Sequence, residues 1–69
     1  MSVAKVIEVV ASSSKSFEDA VAQGIARATD SLDDVAGAWI KEQKVVVSKG
    51  KVTEYRVNMM VTFVLKQPS

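Results

Sequence analysis

The sequence predicts an α+β fold: a β-α-β-β chain whose three-stranded antiparallel sheet packs on one helix. Three observations carry that expectation. Residues 54–65 alternate without a break, with Tyr55, Val57, Met59, Val61, Phe63 and Leu65 on one face. The other face holds Glu54, Arg56, Asn58, Met60, Thr62 and Val64, and period-2 alternation of this kind is a β-strand with one apolar face. Phe17, Ala20, Val21, Gly24, Ile25, Ala28 and Leu32 recur at helical spacing. Between the last two extended runs, Ser48-Lys49-Gly50-Lys51 reads as a tight turn, with glycine supplying a positive φ.

The first strand spans residues 3–11. Val3, Ile7 and Val9 share one face, and Ala4, Val6 and Val10 share the other. A strand apolar on both faces is expected to be covered on both. Ser12-Ser13-Ser14-Lys15-Ser16 breaks it. Ser16, followed three residues later by Asp19, is a helix N-cap with a capping-box-like partner. The small residues Ala20, Gly24 and Ala28 let the helix lie close to a sheet. Gly24 costs roughly 1 kcal/mol of helix propensity relative to alanine, so close approach is the expected return.

The second strand spans residues 36–47. Ala36, Ala38 and Ile40 fall on one face, and Gly37, Trp39, Lys41 and Gln43 on the other. The third strand follows the turn, and Gln67-Pro68-Ser69 is a short tail. A helix between strands one and two makes those two parallel. Strand three then fits between them, antiparallel to both. One helix covers one face of the sheet. The second face, with Trp39 and Arg56, is left for water, a ligand or other copies of the chain.

Composition narrows the function classes. Sixty-nine residues make one domain, 1–69, with a small core. A hydrophobic fraction of 48% is high for such a chain, and without disulfides or metal the usual remedy is oligomerisation. A net charge of +1 with scattered basic residues argues against nucleic acid. No apolar run approaches the roughly 20 residues that span a bilayer. No leader segment is evident, so the cytoplasm is the default location.

Histidine and cysteine are both absent, which removes most nucleophile–base arrangements and most zinc or iron sites. The three glycines are too far apart for a phosphate-cradling loop. The expectation is therefore no enzyme, no catalytic residues and no assigned metal ligands.

Trp39 reads either as a flat stacking surface for a planar ligand or as a subunit-interface anchor. Arg56 reads either as a ligand-binding fork or as the partner of Glu42 or Glu54. Asp30, Asp33 and Asp34 follow the helix, where negative charge opposes the macrodipole. A basic residue of another subunit, a bound cation or solvent would compensate them. Met59 reads as core filler.

The chain resembles the dodecins over about residues 3–66. The residues that carry the resemblance are Lys5-Val6-Ile7-Glu8, Ser12-Ser13, Ser16-Phe17, Ala26-Arg27-Ala28 and Ser31. Asp33-Asp34-Val35, Glu54-Tyr55-Arg56-Val57 and Val61-Thr62-Phe63 complete it. The resemblance implies the same β-α-β-β unit, assembled into a hollow homododecamer that stores or sequesters a flavin, riboflavin or FMN. In flavin-binding members, tryptophans sandwich paired flavin rings and a glutamine on strand three binds them.

Here the family tryptophan aligns with Gly37 and the glutamine with Arg56. Trp39 lies two residues on, on the same strand face, displaced by roughly 6 to 7 Å. The expected cofactor-binding residues are thus Trp39, Arg56 and Gly37. Arginine offers donors only, where glutamine offers a donor and an acceptor. The alternative is the same shell without flavin, serving as a structural assembly or holding another small molecule or an ion.

Overall fold

The helix begins where its N-cap predicts. Ser16 has extended backbone, and its hydroxyl accepts a hydrogen bond from the Asp19 amide at 3.0 Å. That bond satisfies one of the orphan donors of the first turn. The structure, a computed structural model, describes residues 3–65; the Gln67-Pro68-Ser69 tail lies outside them. The elements run β1 (Val3–Ser13), α1 (Phe17–Ser31), β2 (Val35–Ser48) and β3 (Lys51–Leu65). Each strand is longer than its apolar pattern suggested: β1 runs on through Ser12 and Ser13, β2 gains Val35 and Ser48, and β3 gains Lys51, Val52 and Thr53.

The sheet order is β1-β3-β2, with both neighbours antiparallel to β3. Strand three lies in the middle, as its clean apolar face requires. Val57, Met59 and Val61 are fully buried there, together with Ala20 of α1. Ala28 and Gly24 complete the buried stripe of the helix. Gly24 marks the close approach. A Cβ added there would collide with the Met59 methyl and stand 3.1 Å from the Ala11 Cβ. Phe17 meets Tyr55 edge-on at 5.1 Å, which docks the first turn of α1 on β3.

The capping box is only half formed. Asp19 does not reach back to Ser16. Its carboxylate instead accepts from the Ser13 hydroxyl at 2.5 Å and from Gln23 at 2.6 Å. The buried Ser13 also accepts the Lys15 amide at 2.9 Å, so the end of β1 is tied to the start of α1.

The β2–β3 turn has positive φ at both Lys49 (53°) and Gly50 (76°). This is the two-residue hairpin geometry whose twist matches that of its strands. Strand two departs from the simple alternation. Its register with β3 shifts between Val35 and Gly37, between Ile40 and Glu42, and between Val46 and Val47. The shift at Lys41 reverses the phase of the residues after it. Gln43, expected beside Trp39, instead pairs with Val57 on the α1 side of the sheet. Such bulges are invisible to a period-2 reading, because the extra residue is set by pairing rather than by local composition.

Candidate functional site

The face of the sheet turned away from α1 is built in cross-strand rows. One row is Val6, Thr62 and Gly37. The next is Glu8, Met60 and Trp39, then Val10, Asn58 and Glu42, then Ser12, Arg56 and Lys44. Alternation therefore placed Trp39, Arg56 and Gly37 on one face, as expected. It did not gather them. Along β3, the Trp39 and Arg56 rows lie four residues apart, roughly 13 Å, and the Gly37 row lies a further two residues away.

Trp39 is 53% exposed, and no atom lies within 4 Å of a Cβ built on Gly37. The indole thus has free surface beside it and the Met60 strand beneath it. Val6 and Val10 are also exposed on this face, which makes an apolar surface interrupted by two polar clusters.

The first cluster is Glu8, Asn58 and Lys41. Asn58 donates from Nδ2 to Glu8 at 3.0 Å, and Lys41 Nζ stands 3.7 Å from the other carboxylate oxygen. The Asn58 hydrogen bond, then the Lys41 charge, hold the Glu8 carboxyl below its usual value. The second cluster is Arg56, Glu54 and Ser12. Arg56 donates from Nε at 3.2 Å and from Nη2 at 3.5 Å to the two oxygens of Glu54. The arginine first, and the Ser12 hydroxyl second, hold the Glu54 carboxyl down. Arg56 thus has the intrachain partner that one sequence reading gave it, with donors left over. The Glu8 cluster was missed, because Glu8 and Asn58 are fifty positions apart and only the sheet register puts them side by side.

On the other side of the sheet, α1 lies over β1 and β3 and scarcely touches β2. A groove of about 510 Å³ remains between them, lined by Val21, Ile25, Val35, Ala38, Ile40 and Met59 among others. Nothing in the sequence pattern announced it. Asp30, Asp33 and Asp34 lie at the end of α1, which has no basic residue in its last turn. Among the described residues, no three acidic, histidine or cysteine side chains come together to hold a metal ion.

Comparison with known proteins settles the kinship. The dodecin family model matches residues 3–66. The chain belongs to the dodecin family. It is 43% identical over 67 residues to the calcium dodecin of Mycobacterium tuberculosis, covering 96% of this chain and 93% of that one. Among solved structures, a Thermus thermophilus protein superimposes with a TM-score of 0.93 at 29% identity, covering 99% and 100% of the two chains. The crystal structure of the Mycobacterium calcium dodecin, described as having a novel calcium-binding site, gives 0.80 at 38% identity over 97% and 99%. The β-α-β-β dodecin fold is thereby shown. Among the described residues, no helix is long and apolar enough to cross a membrane.

Proposed function

We propose that this dodecin, acting as one domain over residues 1–69, is a non-catalytic binding protein. It assembles as a homododecamer and holds a planar aromatic molecule, a flavin such as riboflavin or FMN, against the helix-free face of its sheet. The observation that carries the reading is the setting of Trp39. A large aromatic surface stands half exposed beside open space at Gly37, on a face that its own chain leaves uncovered. An aromatic ring stacked there gains apolar contact and offset-stacking energy. Contact with indole also lets electron transfer quench the excited flavin. Arg56, oriented by Glu54, turns its remaining donors to a carbonyl or phosphate of the ligand. A ring on Trp39 reaches Arg56 only across roughly 13 Å of the strand, or meets it from a second copy.

A second reading is ion binding, which the calcium dodecin at 43% identity favours. Asp30, Asp33 and Asp34 supply oxygen ligands of the right hardness for Ca²⁺. They do not form a metal-holding group within the described residues of one chain, so such a site draws on neighbouring copies.

A riboflavin fluorescence-quenching titration of the assembled protein separates the two. Saturable quenching that Trp39→Ala abolishes, with assembly intact, supports the flavin reading. No quenching, together with saturable calcium heat in calorimetry, replaces it with the ion reading. Loss of assembly in Trp39→Ala makes the indole an interface anchor.

A further inference from the structure

Arg56 leaves one demand of a flavin unmet. The pyrimidine end of the ring carries an N–H between two carbonyls, so its edge reads acceptor, donor, acceptor. A guanidinium offers donors only. It satisfies a carbonyl and never the N–H, and an N–H buried without an acceptor costs affinity.

The row that holds Trp39 also holds an acceptor. Met60 pairs with Trp39 on one side and with Glu8 on the other. Trp39 and Glu8 therefore stand two strand spacings apart, roughly 10 Å, which is the length of a fused tricyclic ring. Met60 between them is half-buried and gives such a ring a soft apolar floor. Lys41 comes to the same place because of the bulge. It sits at the register shift between Ile40 and Glu42, with no residue of β3 opposite it, and its side chain reaches across the sheet to Glu8.

Glu8 receives Asn58 Nδ2 at 3.0 Å on one oxygen and faces Lys41 Nζ at 3.7 Å on the other. The Asn58 hydrogen bond first, and the Lys41 charge next, hold its carboxyl below the usual value. At neutral pH it is thus a carboxylate, which only accepts. Neither donor is used up among the described residues. Asn58 keeps its second Nδ2 proton, and the Lys41 ammonium stands beyond hydrogen-bond distance of Glu8. Asn58, Glu8 and Lys41 therefore offer donor, acceptor and donor in turn. That order is the complement of the imide edge.

We infer that Trp39 stacks one end of the ring while the Asn58–Glu8–Lys41 cluster reads an imide edge at the other, so that the protein selects fused aromatic rings bearing an unsubstituted cyclic imide. This rests on the flavin reading above and names what that site recognises. The dimethylbenzene end of a flavin lies on the indole and the pyrimidine end meets Glu8. The sugar chain leaves from the middle ring, over Met60, and is free to run along β3 toward Arg56.

Riboflavin and its imide-N-methyl derivative, which differ only at that nitrogen, test the assignment by fluorescence quenching with the assembled protein. The wild-type chain should bind riboflavin about tenfold or more tighter than the methyl derivative. Glu8→Ala should bring the two ligands to nearly equal affinity. Asn58→Ala removes a donor to a carbonyl that both ligands carry, so it should weaken both and keep riboflavin the tighter. A structural disturbance alone would lower both affinities in Glu8→Ala and leave their ratio intact, so the ratio is the readout. Equal affinity of the two ligands for the wild-type chain overturns the assignment, and so does a ratio that Glu8→Ala leaves unchanged. A wild-type chain that quenches neither ligand overturns the flavin reading as well, so the two failures are distinguishable.

Discussion

Replacing Gly24 by alanine sets two opposing effects against each other at one atom. In the interior of α1, alanine gains about 1 kcal/mol of helix propensity over glycine. The new Cβ, however, collides with the Met59 methyl and presses on the Ala11 Cβ. Met59 is fully buried between Val57 and Val61, so to clear the new Cβ its thioether has to leave its packed position and turn toward the groove it lines. Overpacking a core by a methyl costs about 1 to 3 kcal/mol. Taking about 2 for the clash and about 1 for the gain, Gly24→Ala should destabilise by about 1 kcal/mol. At this chain length that lowers Tm by about 4 to 8 °C.

The same substitution should be markedly less destabilising in a Met59→Leu background, where the offending methyl is gone and the propensity gain is set against only the contact with the Ala11 Cβ. Thermal unfolding of the four chains of this cycle, at one protein concentration because assembly links Tm to concentration, measures both terms. Stabilisation by Gly24→Ala in the wild-type background would refute the reasoning. So would an equal effect in both backgrounds, since either shows that Met59 does not hold α1 to the sheet.

The acid limb of the stability profile should reflect Glu8, Asp19 and Glu54. Hydrogen bonds from Asn58, Ser13 and Arg56 respectively are the main causes that hold these carboxyls below their ordinary values of 4.5, 3.8 and 4.5. Their folded pKa values are depressed, so the stability they contribute is complete above the unfolded values and is lost as pH falls through the folded ones. Denaturant titrations should therefore show little change from about pH 7 down to 5 and a fall below about 4.5, which Asn58→Ala makes shallower; a flat profile to about pH 3 would contradict this. Gly50→Ala places a Cβ at φ 76° and should cost about 1 kcal/mol by the left-handed penalty, read as a lower Tm; an unchanged melt would mean that the turn relaxes to another type.

Periodicity is a local property, and it carried most of the fold. The alternation of residues 54–65 identified the central strand, its buried face and the side on which Arg56 stands. Ser16 and the Ala20–Gly24–Ala28 spacing identified the helix and the face it presents. The same alternation, with the resemblance to dodecins, put Trp39, Gly37 and Arg56 on one face. Asp19, by contrast, found Ser13 rather than Ser16, because a partner on β1 comes within reach only once strand and helix are docked.

The chain alone determined which residues alternate, which repeat at helical spacing and where the backbone must turn. Each depends on neighbours a few residues apart. The tertiary structure decided the rest. The bulge at Lys41 sent Gln43 to the helix side, and the register joined Glu8 to Asn58 across fifty positions. The narrow footprint of α1 left β2 with an open groove, and the short reach of β1 left the far end of the β2–β3 hairpin unaccompanied. Those features depend on how strands of unequal length are paired and on how much of a sheet one fifteen-residue helix can cover. That is a matter of register and packing, which no single stretch of sequence encodes.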